Sequence, residues 1–331
     1  MIELTNKTIL ITGGTGSFGH AAVEILLQQD VAKIIIFSRD EMKQWSMAQR
    51  FDDQRLRFFI GDVRDKDRLK IALRGVDIVL HAAATKIVPI AEYNPIECLK
   101  TNVFGASNLV EACIETDVEV VVALSTDKAS SPANLYGASK LASDKLFIAA
   151  NNYSGVNNCR FSVVRYGNVM GSRGSVIPLF LKMAKHGQRL TVTDREMTRF
   201  MITLEEGVKL ALHALKDMIG GEIYVKKIPS MKIIDIAKAI SPDSEIVDIG
   251  IRPGEKLHEE MISLQDSDFT FEYDNYYKIL PMINNWYKDR DRIGDGIAVG
   301  KSFSYTSDNN KDWMTKAQLI AWVNAESDNS L

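Results

Sequence analysis

The tightest constraint on the fold lies near the start of the chain. A short apolar run at 8–11 leads into Gly13-Gly14-Thr15-Gly16-Ser17-Phe18-Gly19, and an apolar-faced helix follows at 21–28. Glycines at this spacing permit a tight turn. They also let the backbone approach a pyrophosphate at a helix N-terminus, where free N–H groups and the dipole favour anions. The strand before and the helix after make this a dinucleotide-binding turn rather than a plain glycine turn. Gly13, Thr15, Gly16, Ser17, Phe18 and Gly19 are therefore assigned to a cofactor.

The alternation continues. Short β-branched runs at 33–37, 56–60, 77–81, 120–124 and 161–165 read as buried strands, and helical patterns run near 66–73, 95–116 and 134–153. The expected fold class is α/β, a doubly wound parallel sheet with right-handed crossovers and a smaller α/β substrate-binding lobe. Residues 1–170 form the dinucleotide-binding domain, with a return near 198–228. Residues 171–197 and 229–331 form the lobe and a tail, and 286–331 carries aromatics but no motif with a readable role.

The strand ends supply the remaining cofactor residues. A dinucleotide fold places an acid at the end of the second strand to hold the ribose 2′-hydroxyl. Here Ser38 stands there, followed by Arg39, with Lys43 one helical turn on. A guanidinium suits a 2′-phosphate, which favours NADP, while Asp40 keeps NAD open. Asp62 is placed to hold the adenine amino group, with Val63 packed on the ring. Ala82 begins a small-residue stretch that lets the backbone run under the ribose, and Val169 follows the sixth strand. Lys86 reads equally as a ligand for substrate or cofactor and as a solvated loop lysine. His81 reads as a core histidine, and Asn102 as a brace for the active-site backbone.

The chemistry gathers after the fifth strand, in Ser125-Thr126-Asp127-Lys128-Ala129 and then Tyr136 and Lys140. Polar groups at the carboxyl end of a parallel strand face the ligand crevice. Tyr136 and Lys140 share one face if a helix opens there. A lysine ammonium beside a phenol stabilises the phenolate, so Tyr136 can exchange protons near neutral pH. Thr126 offers a hydroxyl to a substrate oxygen. Further on, Arg252-Pro253-Gly254-Glu255 reads as a rigid turn whose arginine can clamp a diphosphate and whose glutamate can accept from ribose hydroxyls.

Composition narrows the class. With 46% apolar and 25% charged residues the chain reads as a soluble globular enzyme. A net charge of −3 gives no reason to expect nucleic acid as a partner. No apolar run approaches the ~20 residues of a membrane span, and no secretory signal opens the chain. Cys98, Cys113 and Cys159 lack metal-ligand spacing and read as reduced thiols, so no metal is expected and the setting is cytoplasmic. The helix at 134–153 is a candidate for pairing in a homo-oligomer.

These residues together resemble the extended short-chain dehydrogenases that modify nucleotide sugars. More closely, the chain is similar to the inverting UDP-N-acetylglucosamine 4,6-dehydratases that begin pseudaminic acid synthesis. The marks are 38–43, Ser125 to Ala129, 197–200, 227–232 and 252–256. Retaining sugar dehydratases end the catalytic strand with Thr-Asp-Glu; Lys128 replaces that glutamate here, as in the inverting group.

The resemblance implies a UDP-sugar substrate and a tightly bound NADP that is recycled, not consumed. Tyr136 takes the C4 hydroxyl proton as hydride leaves C4. Lys128 removes the C5 proton and Asp127 protonates the departing C6 hydroxyl. Hydride returns to C6, and C5 is reprotonated from the other face. Lys140 bonds the nicotinamide ribose and lowers the Tyr136 pKa, and desolvation lowers that of Lys128. Asn168, Val176, Ile177, Pro178, Leu179, Phe180, Arg252, Glu255 and Lys86 hold the UDP-sugar. The competing readings are a UDP-hexose epimerase or reductase on the same fold, which leaves Asp127 and Lys128 idle, and a non-catalytic NADP sensor, which has no use for Tyr136 and Lys140.

Overall fold

The computed structural model describes residues 3–155, 159–172 and 174–328. Six strands alternate with helices: β1 Thr8–Thr12, α1 Ser17–Leu26, β2 Lys33–Ser38, α2 Glu41–Phe51, β3 Leu56–Ile60, α3 Lys66–Ala72 and β4 Ile78–His81. Then come α4 Val88–Tyr93, α5 Pro95–Leu99, α6 Gly105–Glu115, β5 Val120–Leu124, α7 Leu135–Ala150 and β6 Arg160–Arg165. The strands lie parallel in the order β3-β2-β1-β4-β5-β6. Ile9, Leu10 and Ile11 are fully buried because helices cover both faces of the sheet, which is why these strands are continuously apolar. The order reverses between β1 and β4. The loops at their carboxyl ends part there and open a crevice.

Past β6 the sheet continues. Ile223–Lys226 adds in parallel, and Tyr276–Ile279, Thr270–Glu272 and Ile297–Ala298 add antiparallel. The sequence reading placed 270–298 in the second lobe. These strands instead extend the main sheet, because the turn between Glu272 and Tyr276 forms a hairpin that pairs with the exposed edge of Ile223–Lys226. The expected return at 198–228 is also shorter. Helix Leu204–Asp217 packs on α1, but Thr198–Ile202 pairs with Ser230–Lys232 and Asn168–Val169 in a small sheet of its own.

A second apolar core holds the smaller lobe. Ile177 and Phe180 of α8 (Val176–Lys185) meet Leu190, Val192, Met231 and Ile236 there. The tail closes it: Leu319, on the last helix Lys316–Asp328, is fully buried in this core. Trp322 of the same helix covers Gly171, which has φ +68° and where a Cβ would lie 2.7 Å from the indole. Ser230 receives the tail through backbone bonds with Asp312 and Met314.

The helix read at 95–116 is interrupted. Pro95 restarts it after Asn94, and Lys100–Phe104 forms a π turn between α5 and α6. That extra residue turns Asn102 inward, where its Oδ1 accepts from the Thr85 N–H at 2.8 Å and its Nδ2 donates to the Thr85 carbonyl at 2.9 Å. Asn102 thus braces the loop after β4.

The tail helix is a wall of the second core, so Leu319→Ala should lower stability by about 2–5 kcal/mol, the range for emptying a buried leucine site. Urea unfolding checks this; a loss under about 0.5 kcal/mol, the range of surface changes, would show that the tail only rests on the lobe.

Candidate active site

The glycine turn after β1 is shaped by contact. Gly13 has φ +63°, and a Cβ there would lie 2.8 Å from the Ala83 backbone. At Gly19 a Cβ would fall 1.9 Å from the Gly14 carbonyl oxygen, so this glycine lets α1 pack on its own turn. Gly16 caps α1 without a side-chain bond, leaving first-turn N–H groups for a ligand. Beside them opens a cavity of about 460 Å³. Every residue assigned to the cofactor from the sequence lines it, with the single exception of Gly19.

At the far end of this cleft, Gln44 donates to the carbonyl and hydroxyl of Ser38 at 3.1 Å each, fixing the end of β2. Asp40 caps α2 by accepting from the Lys43 N–H, and its carboxylate also lies 2.9 Å from Lys43 Nζ. Those bonds hold Asp40 below the usual carboxylate pKa. The Arg39 side chain is 66% exposed and reaches to 3.9 Å from Asp62. Asp62 is gripped more closely by Arg64, at 2.7 Å.

The catalytic end is built by the turn after β5 and the first turns of α7. Ser125 donates to Asp144 at 2.7 Å, tying the strand end to α7. Asp127 is 1% exposed and accepts from the Thr126 hydroxyl at 2.8 Å. Lys128 Nζ lies 3.1 Å from Asp127 Oδ1 and 2.8 Å from Glu259 Oε1, and Arg199 Nε stands 3.6 Å from the same Glu259 oxygen. Tyr136 and Lys140 both face the first cavity from one side of α7.

Burial and neighbours set the proton affinities. Burial raises Asp127 above its ordinary value, and the Glu259 charge adds to the effect. Glu259 moves the other way: burial opposes its ionisation, but Lys128 and Arg199 outweigh that and hold it low. Two expectations are corrected. Burial does pull Lys128 down, yet Asp127 and Glu259 together outweigh it and the ammonium is held above its ordinary pKa. Tyr136 is pushed up to about 12 by burial, with Lys128 and a Thr126 hydrogen bond pulling it only partway back. Burial lowers the affinity of Lys140 for its own proton, offset in part by Asp144. His81 is a core residue, bonded to Thr12 at 2.7 Å and pushed down to about 3 by burial.

A second cavity, about 260 Å³, opens on the other side of the Thr126–Lys128 turn. Lys128 and Glu259 line it, as do Asn168, Val176, Leu179, Phe180, Arg252 and Glu255. The Asn168 Oδ1 atom is buried and finds no hydrogen-bond partner among the described residues. Ile177 faces the lobe core instead, because the period of α8 turns it from the cavity, and Pro178 does not line the cavity either. Lys86 lines the first cavity, not the second. The Arg252–Glu255 turn is docked on the start of α7, where Asn134 Nδ2 donates to the Gly254 carbonyl at 2.7 Å.

Sequence reasoning missed Glu259 and Arg199. The adjacent acids Glu259 and Glu260 carry no sign of which one turns inward; the fold brings Glu259 to Lys128 and Glu260 to the hydroxyls of Ser130 and Ser131.

The chain matches the family model described as polysaccharide biosynthesis protein over residues 9–281. A UDP-N-acetylglucosamine 4,6-dehydratase (inverting) from Campylobacter jejuni subsp. jejuni serotype O:2 is 56% identical, over 96% of this chain and 97% of its own length. A UDP-glucose 4-epimerase from Rickettsia canadensis is 44% identical over 83% of each chain. Among solved structures, Pen from Bacillus thuringiensis is 36% identical with a TM-score of 0.90, covering 98% of this chain and 99% of that one.

Replacing Asn102 by Leu leaves the Thr85 N–H and carbonyl without their partners. An orphaned polar group that stays buried costs about 1–3 kcal/mol. The denaturation midpoint should fall, and an unchanged midpoint would mean that other contacts hold the loop after β4.

Proposed function

This chain belongs to the polysaccharide biosynthesis protein family, and from that premise we propose that it is an inverting UDP-N-acetylglucosamine 4,6-dehydratase. The extended short-chain dehydrogenase resemblance read from the sequence is borne out by the relatives and by the fold. The observation that carries the activity is Asp127 and Lys128 side by side, 3.1 Å apart, with Lys128 on a cavity adjoining the one that Tyr136 and Lys140 face.

The glycine turn, the open N-terminus of α1 and the adjoining cavity fit a nicotinamide dinucleotide. When bound, such a cofactor would supply the hydride acceptor for C4 and donor for C6 and a ring charge that favours the Tyr136 phenolate. Tyr136 accepts the C4 hydroxyl proton, and Lys140 positions the ribose. The C4 ketone acidifies the C5 hydrogen. In the resting site one proton lies between Asp127 and Lys128, on the nitrogen. Moving to Asp127 Oδ1 across 3.1 Å, it leaves an amine that can take the C5 proton and an acid that can protonate the leaving C6 hydroxyl. When water departs, Asp127 is again a carboxylate and Lys128 again an ammonium. The pair returns to its starting state without drawing a proton from solvent. Tyr136, carrying the former C4 hydroxyl proton, delivers it to C5 from the opposite face.

Arg252 and Glu255 hold the diphosphate and a ribose, and Asn168 and Phe180 border the sugar. The product is the L-configured 4-keto-6-deoxy sugar nucleotide, UDP-2-acetamido-2,6-dideoxy-beta-L-arabino-hexos-4-ulose. It is an entry to pseudaminic acid or a related cell-surface sugar. The epimerase reading draws on the Rickettsia relative but leaves the Asp127–Lys128 pair without work.

NADP is the preferred cofactor in this reading. Ser38 offers no acid at the end of β2, Asp40 is engaged as the α2 cap, and Arg39 stands exposed beside the cleft. Its contact with a 2′-phosphate is worth roughly 1.5–3 kcal/mol. Arg39→Ala should therefore weaken NADP about tenfold or more relative to NAD in a binding titration; equal losses for both would refute the assignment.

The reaction itself is tested by incubating purified protein with UDP-N-acetylglucosamine, without added cofactor, in D₂O. NMR should show loss of water, one deuterium at C5 and the L configuration. Lys128→Ala should cut turnover by about 10²-fold or more, the range for a lost general base, with cofactor still bound. An isomer with no loss of water, a D-configured product, or near-normal turnover by Lys128→Ala would overturn the reading.

A further inference from the structure

The Asp127–Lys128 pair is not alone. Glu259 is 2% exposed, and its Oε1 is the nearest acidic atom to Lys128 Nζ, at 2.8 Å against 3.1 Å for Asp127. Its other oxygen, Oε2, is buried and has no hydrogen-bond partner among the described residues, and the same holds for Asp127 Oδ2. The Glu259 backbone is clamped from the tail: its N–H donates to the Ser307 hydroxyl at 2.9 Å, and its carbonyl accepts from the Ser307 N–H at 2.8 Å. Arg199 approaches from Thr198–Ile202 and is itself fixed by the carbonyls of Lys256 and Leu257. A buried carboxylate held this firmly, with one oxygen on the C5 base, is not a surface acid that happened to fold inward.

We propose that Glu259 is a positioning residue for the C5 base: it holds the Lys128 nitrogen beside Asp127 and, as a permanent anion, keeps the pair's single proton in the site. This rests on the dehydratase reading above. The charged groups facing Glu259 are Lys128, Arg199 and Lys256, with Asp127 across the lysine. The three cations keep Glu259 ionised. Among the described residues Asp127 forms a close ion pair with Lys128 alone, Lys256 acting on it only at longer range, and it is the carboxyl that takes up the shared proton. Two like groups beside one base thus divide into a fixed anion and a working acid. No proton leaves the Asp127–Lys128 pair to Glu259, so the balance of the reaction is unchanged.

The sign of the expected effect follows from Coulomb attraction. Removing the Glu259 charge makes the last proton of the pair easier to lose, so the alkaline limb of the pH–kcat profile moves to lower pH. In Glu259→Gln we expect that downward movement by about one pH unit or more, with kcat down about tenfold or more at the optimum. KM for UDP-N-acetylglucosamine should change less than about threefold, and reduced nicotinamide should still form on mixing with substrate, because oxidation at C4 uses Tyr136. Glu259→Asp keeps the charge and should return the limb to its natural position. An alkaline limb that stays in place in Glu259→Gln overturns the proposal, as does loss of C4 oxidation in step with turnover. If Glu259→Gln does not fold, Glu259→Asp decides: a limb displaced as far as one pH unit despite the retained carboxylate overturns it. If the unmodified protein releases no water from the substrate, the dehydratase reading itself fails and takes this proposal with it.

Discussion

A lysine ammonium between two buried carboxylates ties the turn after β5 to segments far along the chain and carries the proposed chemistry. Lys128 and Asp127 come from the turn after β5, while Glu259 and Arg199 come from the chain beyond the sixth strand. Removing one partner from such a buried cluster is costly, about 3–5 kcal/mol for a simple pair, because the remaining charge is left unpaired in a low dielectric. The cluster therefore requires the segments that carry Arg199 and Glu259 to sit where they do. The tail serves the same end: Ser307 fixes Glu259, and Leu319 closes the core beneath α8.

Local features of the fold were legible in the sequence. The glycine turn, the apolar strands and the Tyr136–Lys140 spacing are each written within a few residues, and hydrophobic period and helix geometry decide them. The cofactor cleft follows from these parts, since the order reversal between β1 and β4 fixes where a ligand enters. Gly19 shows the limit even there. Its spacing marks it as part of the motif, but its work is to let α1 approach Gly14.

What the sequence could not show depends on contacts between distant segments. A lysine in a closed cleft is expected to lose affinity for its proton, and burial does act that way on Lys128. Two carboxylates reverse the outcome, and one of them lies in a segment with no motif pointing to it. The π turn at Lys100–Phe104 is hidden for a similar reason: the sequence at 95–116 is adequate for one helix, and only the need to satisfy Thr85 turns Asn102 inward. The hairpin at 270–279 joins the main sheet because an edge strand is available to pair, a fact set by topology and not by its own residues.

A redox-neutral dehydration makes a particular demand on such a site. The same hydride that leaves C4 must return at C6, so the ketone intermediate has to remain in place and water has to be kept from it. Asp127, Lys140 and Glu259 are all at most 3% exposed, which keeps the acid, the amine and the anion proposed above out of bulk solvent. In that setting electrostatic interactions are strong, and an unbalanced proton would be expensive. A base and an acid that share one proton meet this demand, since taking the C5 proton and giving one to the leaving hydroxyl restores the initial charges. A carboxylate at position 128 would sit between Asp127 and Glu259, leaving only Arg199 and Lys256, which face Glu259, to offset three acids. In the proposed reaction the lysine thus serves the charge balance of this cleft as well as the chemistry at C5.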